Sequence, residues 1–237
     1  MRKVALVTGA GGSGIGRSTA LALARDGFDV AVNFRSDESA ANDVAKAARE
    51  LGVTSSTVQA DLFDLAQAEA LVPRIVEMFG RLDALIIGPG AGWHPEPPDQ
   101  LAAEDALADT RQEVLPVFAL MPHAISAIAA QGGGRIVGIA TNQRLPSPSY
   151  AYNTAKQARA AAMLGLVDHC WRQRITVNVV APGPVEPIAT LAEAVSVNRN
   201  FPRHTPSISP QDIAEIVAYL CSDKARFITG NVVGTYF

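Results

Sequence analysis

The chain has 237 residues, of which 48% are hydrophobic and 18% charged, and its formal net charge is −3 at pH 7. This composition is typical of a globular enzyme with a substantial core, and it excludes a disordered or coiled chain. Because the slight negative charge attracts neither nucleic acid nor an anionic membrane, we expect no partner of either kind.

The first predicted elements are a buried strand near 3–8, a glycine-rich loop and a helix near 15–26. The loop holds five glycines within the eight residues 9–16. Glycines let the backbone turn tightly and approach a pyrophosphate, and the N–H groups at the start of the helix can bind that anion. The alternative is a glycine-rich turn without a ligand. The candidate nucleotide-binding residues of this loop are Gly9, Gly12, Ser13, Gly14, Ile15 and Gly16.

The end of the second predicted strand, near 29–34, indicates which dinucleotide is bound. It has no acidic residue that would hold the ribose hydroxyls of NAD(H), and Arg35 and Ser36 follow it instead. An arginine and a hydroxyl suit a 2′-phosphate. The alternative is that Arg35 begins a solvated helix. We therefore favour NADP(H) as the cofactor, with NAD(H) possible.

Strands and helices alternate along the rest of the chain. Further strands are predicted near 54–60, 82–88, 134–140, 175–181 and 230–235, and further helices near 38–51, 65–79, 103–130, 150–171 and 210–222. This alternation predicts an α/β fold, a three-layer doubly wound Rossmann fold with a mostly parallel seven-stranded sheet. We expect one domain over residues 1–237. A segment near 182–209 has five prolines and little periodicity, and it follows a strand at the edge where such sheets bind ligands.

Tyr152 and Lys156 lie four residues apart in a predicted helix, so they share one helical face. A free phenol titrates near pH ~10, and a neighbouring positive charge lowers that pKa. Such a pair can move a proton to or from a substrate oxygen. The alternative is a chance spacing, since the pattern is common in helices.

Cysteines and histidines give no sign of a metal site. Cys170 and Cys221 lie far apart without metal-ligand spacing, which favours reduced thiols and a cytoplasmic protein. The four histidines are scattered, so we expect no metal. Met1-Arg2-Lys3 leads directly into the first strand, and no apolar run reaches the roughly 20 residues of a membrane span. We therefore expect neither a signal peptide nor a membrane anchor.

Several motifs, in order along nearly the whole chain, resemble those of the short-chain dehydrogenase/reductase family. They are Thr8-Gly9 with Gly14-Ile15-Gly16 (one extra residue in the loop), Gly134-Arg135-Ile136-Val137, Tyr152 with Lys156, Asn178 to Val185, and Ile228-Thr229-Gly230. The likeness is nearest to members that reduce 3-oxoacyl thioesters. It implies an oxidoreductase that exchanges a hydride between nicotinamide and a small carbonyl or secondary alcohol substrate. Tyr152 would be the general acid/base, Lys156 would bind the nicotinamide ribose, and the chain would form a homodimer or homotetramer.

The resemblance also assigns roles to individual residues in the loops that follow the strands. Asp61 and Leu62 match the adenine contact, and Thr141 replaces the family's catalytic serine, with Asn142 as the alternative. The remaining cofactor-binding positions implied are Gly88 and Gly90 after the fourth strand and Pro182, Gly183 and Val185 after the sixth, together with Tyr152 and Lys156. The segment near 182–209 would cover the substrate.

Three departures from the family pattern stand out. Glu113 replaces an asparagine that supports a proton relay, and the motif Asn-Asn-Ala-Gly reads Ile87-Gly88-Pro89-Gly90. The usual Asp-Gly-Gly tail is replaced by Gly234-Thr235-Tyr236-Phe237. A carboxylate at 113 can hold the relay water, or it can raise the pKa of the phenol. The alternative function is therefore a catalytically impaired nucleotide-binding regulator or scaffold.

Overall fold

Seven strands form one sheet in the order β3-β2-β1-β4-β5-β6-β7, and every neighbouring pair is parallel. The structure is a computed structural model that describes residues 1–93, 95–142, 150–186, 190–199 and 208–235. The strands are β1 (Val4–Val7), β2 (Asp29–Phe34), β3 (Ser55–Gln59), β4 (Ala84–Ile87), β5 (Gly134–Ile139), β6 (Ile175–Ala181) and β7 (Val232–Gly234). The order reverses between β1 and β4, the position at which doubly wound sheets bind ligands. The predicted fold class is confirmed.

Helices cover both faces of the sheet. They are α1 (Ile15–Arg25), α2 (Glu38–Glu50), α3 (Leu65–Phe79), α4 (Ala103–Ala129), α5 (Tyr150–Leu164), α6 (Val167–Trp171), α7 (Leu191–Arg199) and α8 (Pro210–Cys221). One apolar core packs α3, α4 and α5 against the sheet, and the other packs α1, α2 and α8 against the opposite face. The carboxyl edge of the sheet lies between these layers.

Local signals start and stop several helices. The Asp37 carboxylate accepts a hydrogen bond from the Ala40 N–H at the start of α2, and Asp64 does the same for Gln67 at the start of α3. Ser209 and Asp212 cap α8 reciprocally, with Pro210 in its first turn. Gly80 ends α3 at φ +76°, a left-handed conformation that suits glycine.

Two predictions about elements were wrong. The helix expected over 150–171 is interrupted at Gly165 and Leu166, so that α5 and α6 are separate. The segment near 182–209 was expected to lack periodic structure, yet it contains α7, because Leu191 and Ala194 pack against α1 and α2. Residues 187–189 and 200–207 of that segment lie outside the described residues.

Helix α4 is unusually long and apolar. Within the described ranges it is the only helix with the length and composition of a membrane span, and half of that apolar stretch is buried. Since its apolar residues belong to the core shared with α3 and α5, protein packing accounts for its composition.

Candidate active site

The glycine-rich loop between β1 and α1 is held by one buried asparagine. Gly9, at φ +63°, donates its N–H to Asn33 Oδ1 at 3.1 Å, and the Ala10 N–H donates to the Asn33 carbonyl at 2.9 Å. The Asn33 amide in turn donates to the carbonyls of Val58 and Ala60. Asn33 is 1% exposed and ties the loop to β2 and β3. Sequence reasoning missed it, although a lone amide within an apolar strand is a usable signal.

Gly16 lies against the opposite side of this loop. A Cβ atom on Gly16 would lie 2.6 Å from the Gly9 carbonyl oxygen, whereas a Cβ on Gly14 would meet nothing within 4 Å. Gly12 and Ser13 are exposed, and Gly14 and Ile15 are partly buried. The loop therefore has a tightly packed side and an open side.

We expect Gly16→Ala to lower the melting temperature by several degrees. The added methyl group meets backbone, which cannot move aside as a side chain can, and overpacking of this kind costs about 1–3 kcal/mol. Gly14→Ala is the matched control: its Cβ meets nothing, so it should lose only the N-cap difference between glycine and alanine, about 1 kcal/mol, and keep a higher melting temperature than Gly16→Ala. Thermal unfolding followed by circular dichroism would test this, and equal melting temperatures for the two variants would contradict it.

A groove of 400 Å³ lies at the carboxyl edge of the sheet. It brings together residues from four separate predicted motifs: Gly9, Arg35, Asp61 with Leu62, and Gly90. Arg35 is exposed, as is Ser36, and its guanidinium lies 5.7 Å from the centroid of the Phe63 ring. A second cavity, of 430 Å³, lies among Lys3, Arg135 and Trp171 and is lined by none of the predicted site residues.

Tyr152 and Lys156 share one face of α5, and Glu113 of α4 lies beside them. Lys156 Nζ lies 5.3 Å from the centroid of the Tyr152 ring and 3.0 Å from Glu113 Oε1. That same oxygen accepts a hydrogen bond from the Ala91 N–H at 2.7 Å. Lys156 and Glu113 are both buried, and Tyr152 is partly buried. The structure thus brings three of the four predicted catalytic residues into one cluster.

The Tyr152 pKa lies above its usual value, opposite to the direction expected from a neighbouring ammonium. Burial is the main cause, the Glu113 carboxylate adds to it, and the Arg159 guanidinium partly offsets both. The pKa of Lys156 is lowered by burial and by Arg159, against the opposing effect of Glu113. Burial and the Glu113 carboxylate therefore outweigh the lowering that a neighbouring ammonium alone would produce, and the Lys156 ammonium is itself paired with Glu113.

Arg159 completes this cluster and was not predicted. Its Nε lies 2.8 Å from Glu113 Oε2 and donates to the Glu113 carbonyl oxygen at 3.1 Å. Its other nitrogens donate to the carbonyls of Gly88 and Ile139, each at 3.0 Å, and to the carbonyl of Pro89. Arg159 is 0% exposed. The usable signal was a charged residue three positions after Lys156, on the same buried face of a helix.

Thr141, the fourth predicted catalytic residue, lies where β5 meets the turn after β6. Its buried hydroxyl donates to the Pro182 carbonyl at 3.3 Å, and Gln157 of α5 donates to its carbonyl at 3.0 Å. The Asn142 amide instead donates to the Thr235 carbonyl, next to the end of β7. Thr141 is thus tied to both α5 and the Pro182-Gly183 turn, and the Asn142 N–H also donates to the Pro182 carbonyl, at 3.0 Å.

The remaining predicted positions border the same edge. The Gly88 N–H donates to the Thr8 hydroxyl at 3.0 Å, and the Gly183 N–H donates to the Thr235 hydroxyl at 3.3 Å. Val185 pairs with Ile208 in an isolated parallel bridge. The loops after β1, β4 and β6 therefore converge on the carboxyl edge of the sheet.

Neither cysteine forms a disulfide. Both are buried, and burial raises the pKa of Cys170 to about 11 and that of Cys221 to about 12, so both thiols stay protonated at neutral pH. Among the described residues, no group of three or more histidine, cysteine or acidic side chains is placed to hold a metal. His94 and His204 lie outside the described residues.

The chain is similar to known proteins in both sequence and fold. Residues 9–235 match the family model described as enoyl-(acyl carrier protein) reductase. The chain is 32% identical over 247 residues to the 3-oxoacyl-[acyl-carrier-protein] reductase FabG of Staphylococcus aureus, covering 98% of this chain and 96% of the relative.

Two solved structures share the whole fold. Acetoin dehydrogenase YohF from Salmonella typhimurium superposes with a TM-score of 0.85 at 29% identity, covering 99% of this chain and 95% of the other. A 7α-hydroxysteroid dehydrogenase, solved with NADH and 7-oxo glycochenodeoxycholic acid, superposes with a TM-score of 0.84 at 26% identity, with 98% and 92% covered. The chain belongs to the short-chain dehydrogenase/reductase family of oxidoreductases.

Proposed function

We propose that this protein is an NADP(H)-dependent oxidoreductase that transfers a hydride between the nicotinamide and a carbonyl or secondary alcohol. The observation that carries the proposal is the placement of Tyr152 and Lys156 beside the carboxyl edge of the sheet. Through Glu113 and Ala91 they connect to the same loop that lines the nucleotide-sized groove. Acid/base chemistry and a nucleotide site thus meet at one edge.

The residues of this groove fit a dinucleotide. Its volume, the open side of the glycine loop and the exposed guanidinium of Arg35 suit an adenosine with a 2′-phosphate. When bound, the nicotinamide supplies or takes up the hydride. The residues that would hold the cofactor are Gly9, Gly12, Ser13, Gly14, Ile15 and Gly16 at the pyrophosphate, Arg35, Ser36, Asp61 and Leu62 at the adenosine, and Gly88, Gly90, Pro182, Gly183, Val185, Tyr152 and Lys156 toward the nicotinamide.

Tyr152 would donate its phenolic proton to the carbonyl oxygen during reduction. Because burial and Glu113 raise its pKa, the phenol is protonated at neutral pH, which is the form that reduction needs. Oxidation of the alcohol needs the phenolate, so its rate should rise as the pH approaches the raised pKa. Thr141 would orient the carbonyl oxygen with its hydroxyl, and Lys156 would orient the nicotinamide ribose.

The substrate we propose is a small ketone or secondary alcohol. The compared proteins are named for a 3-oxoacyl thioester, acetoin and a hydroxysteroid, which share that functional group. We propose a cytoplasmic homodimer or homotetramer, without nucleic acid or membrane partners. Support for assembly comes from large exposed apolar side chains on α4 and α5, namely Leu107, Phe118 and Tyr150.

We expect Arg35→Ala to weaken NADPH binding about 10- to 100-fold and to leave NADH binding nearly unchanged. The lost interaction is a charge-assisted contact with the 2′-phosphate, of about 1.5–3 kcal/mol. Arg172→Ala, which removes an exposed arginine at the end of α6, is the control for net charge. Titrations of nucleotide fluorescence would measure both affinities. Equal weakening for NADH and NADPH would refute the role of Arg35.

The proposed activity is tested by following NADPH and NADH oxidation across a panel of ketones, diketones and acyl thioesters. Turnover with NADPH supports the enzyme, and the active compounds define the substrate class. Binding of NADPH without turnover of any compound supports the alternative, a nucleotide-binding regulator. That alternative rests on Glu113, on the altered motif Ile87-Gly88-Pro89-Gly90 and on the altered tail, and the pairing of Glu113 with Arg159 bears only on the first of these.

A further inference from the structure

Three charged side chains are buried together behind Tyr152. Glu113 comes from α4, and Lys156 and Arg159 come from α5. The side chains of Glu113 and Arg159 are 0% exposed and that of Lys156 is 7% exposed. The carboxylate bridges the two cations, with Oε1 3.0 Å from Lys156 Nζ and Oε2 2.8 Å from Arg159 Nε. Because one carboxylate contacts both cations, the net charge of this site depends on all three residues.

The cluster carries one net positive charge, because two cations are balanced by a single anion. If residues 113 and 159 were both neutral, Lys156 would remain as the only charge and the net charge would again be one. Either change made alone gives a different result: loss of the Arg159 charge leaves none, and loss of the Glu113 charge leaves two. Glu113 and Arg159 therefore compensate each other electrostatically at the position of Lys156.

Arg159 also anchors the loop after β4. Its guanidinium donates to the carbonyls of Gly88 and Pro89, and it reaches β5 through the carbonyl of Ile139. At Gly90, a Cβ atom would lie 2.0 Å from Glu113 Oε1, so this glycine leaves the room that the carboxylate occupies. The loop Gly88-Pro89-Gly90 is therefore in contact with both members of the Glu113–Arg159 pair.

We propose that Arg159 is a positioning residue that neutralises Glu113 and anchors the loop after β4, so that Tyr152 faces the net charge of a single cation. This inference rests on the proposed function of Tyr152 as the acid/base. Arg159 acts through Glu113 and Lys156, without contact with the substrate.

The charged groups that face Tyr152 come from two helices. They are Glu113 on α4, and Lys156 and Arg159 on α5. The loop after β4, residues 87–93, and the end of β5, residues 138–142, contain no ionisable side chain. Asp109, buried one turn before Glu113 on α4, is unchanged in every variant, so differences between the variants report the charge changes at positions 113 and 159.

The test is a titration of the Tyr152 phenol by ¹³C NMR of tyrosine labelled at Cζ, in the full chain and without substrate. The backgrounds are the parent, Glu113→Gln, Arg159→Leu and the double variant, and the Tyr152→Phe variant of each assigns the signal. We expect the midpoint to fall by about one pH unit, a tenfold change in proton dissociation, in Glu113→Gln. It should rise by a similar amount in Arg159→Leu and return close to the parent value in the double variant.

A purely structural role for the pair would lower the stability of both single variants without moving the midpoints apart, and that result would overturn the inference. If Arg159→Leu does not fold, the comparison of Glu113→Gln with the double variant decides, since adding Arg159→Leu should raise the midpoint. If Glu113→Gln does not fold, Arg159→Leu is compared with the double variant, in which the added Glu113→Gln should lower the midpoint. Circular dichroism at each pH establishes which variants are folded.

The titration is independent of turnover. Midpoints that move as expected while the parent reduces no compound of the panel would uphold the role of Arg159 and refute the proposed activity. Midpoints that do not move in an active enzyme would refute the role of Arg159 and uphold the proposed activity.

Discussion

Replacing Tyr152 by phenylalanine is expected to lower kcat about 10²- to 10⁴-fold, the range for loss of a positioned general acid. The substitution removes only the phenolic oxygen. The ring can keep its place on α5, and Lys156 Nζ, 5.3 Å from the ring centroid, can keep its contact with Glu113. Substrate and cofactor should therefore still bind, while the carbonyl oxygen receives no proton.

The measurement is the rate of NADPH oxidation with an active ketone, together with NADPH affinity by fluorescence. Tyr150→Phe is a matched control, since it removes an exposed hydroxyl two residues earlier on the same helix. It should retain the parent rate. A Tyr152→Phe variant with more than a tenth of the parent kcat would mean that another group supplies the proton.

Adding a methyl group at Gly90 is expected to lower the free energy of unfolding by about 1–3 kcal/mol, the range for overpacking a buried site. The new Cβ would lie 2.0 Å from Glu113 Oε1 and 2.4 Å from Cδ, so the carboxylate must move. Its contacts with Lys156 and with the Ala91 N–H would then be lost. Because Lys156 would lose its contact with Glu113, we also expect kcat/KM to fall at least tenfold. A tenfold fall corresponds to about 1.4 kcal/mol of lost transition-state stabilisation.

Urea unfolding of Gly90→Ala gives the free energy, and the reductase assay gives the rate. Gly92→Ala is the control in the same loop, since a Cβ there meets nothing within 4 Å. Its stability should stay within about 0.5 kcal/mol of the parent, as for other surface substitutions. Similar losses in both variants would show that the loop, rather than the contact with Glu113, responds to the added methyl group.

The local sequence was enough to predict the elements that carry the site. Strand β1, the glycine loop and α1 follow one another without interruption, and each has its own pattern of apolar residues or glycines. Tyr152 and Lys156 could be paired for the same reason, because a helix places residues four apart on one face. The seven strands and the fold class followed from the alternation of these patterns.

Tertiary structure alone decided the charge at the site. The Arg159 guanidinium reaches Gly88, 71 residues away in the chain, and Glu113, 46 residues away. Asn33 likewise joins the glycine loop to β3. Helix α7 packs Leu191 and Ala194 against side chains of α1 and α2. Local patterns mark Asn33 and Arg159 as unusual, but they do not name the distant partners of these side chains.

The direction of the Tyr152 pKa is the clearest case. Local spacing predicts an ammonium beside a phenol and hence a lowered pKa. The fold buries both groups and adds a carboxylate from α4, and these two effects raise the pKa instead. Local spacing was enough to pair Tyr152 with Lys156, because a helix places residues four apart on one face. Packing determined their charge state, because burial and Coulomb interactions depend on distances that only the folded chain defines.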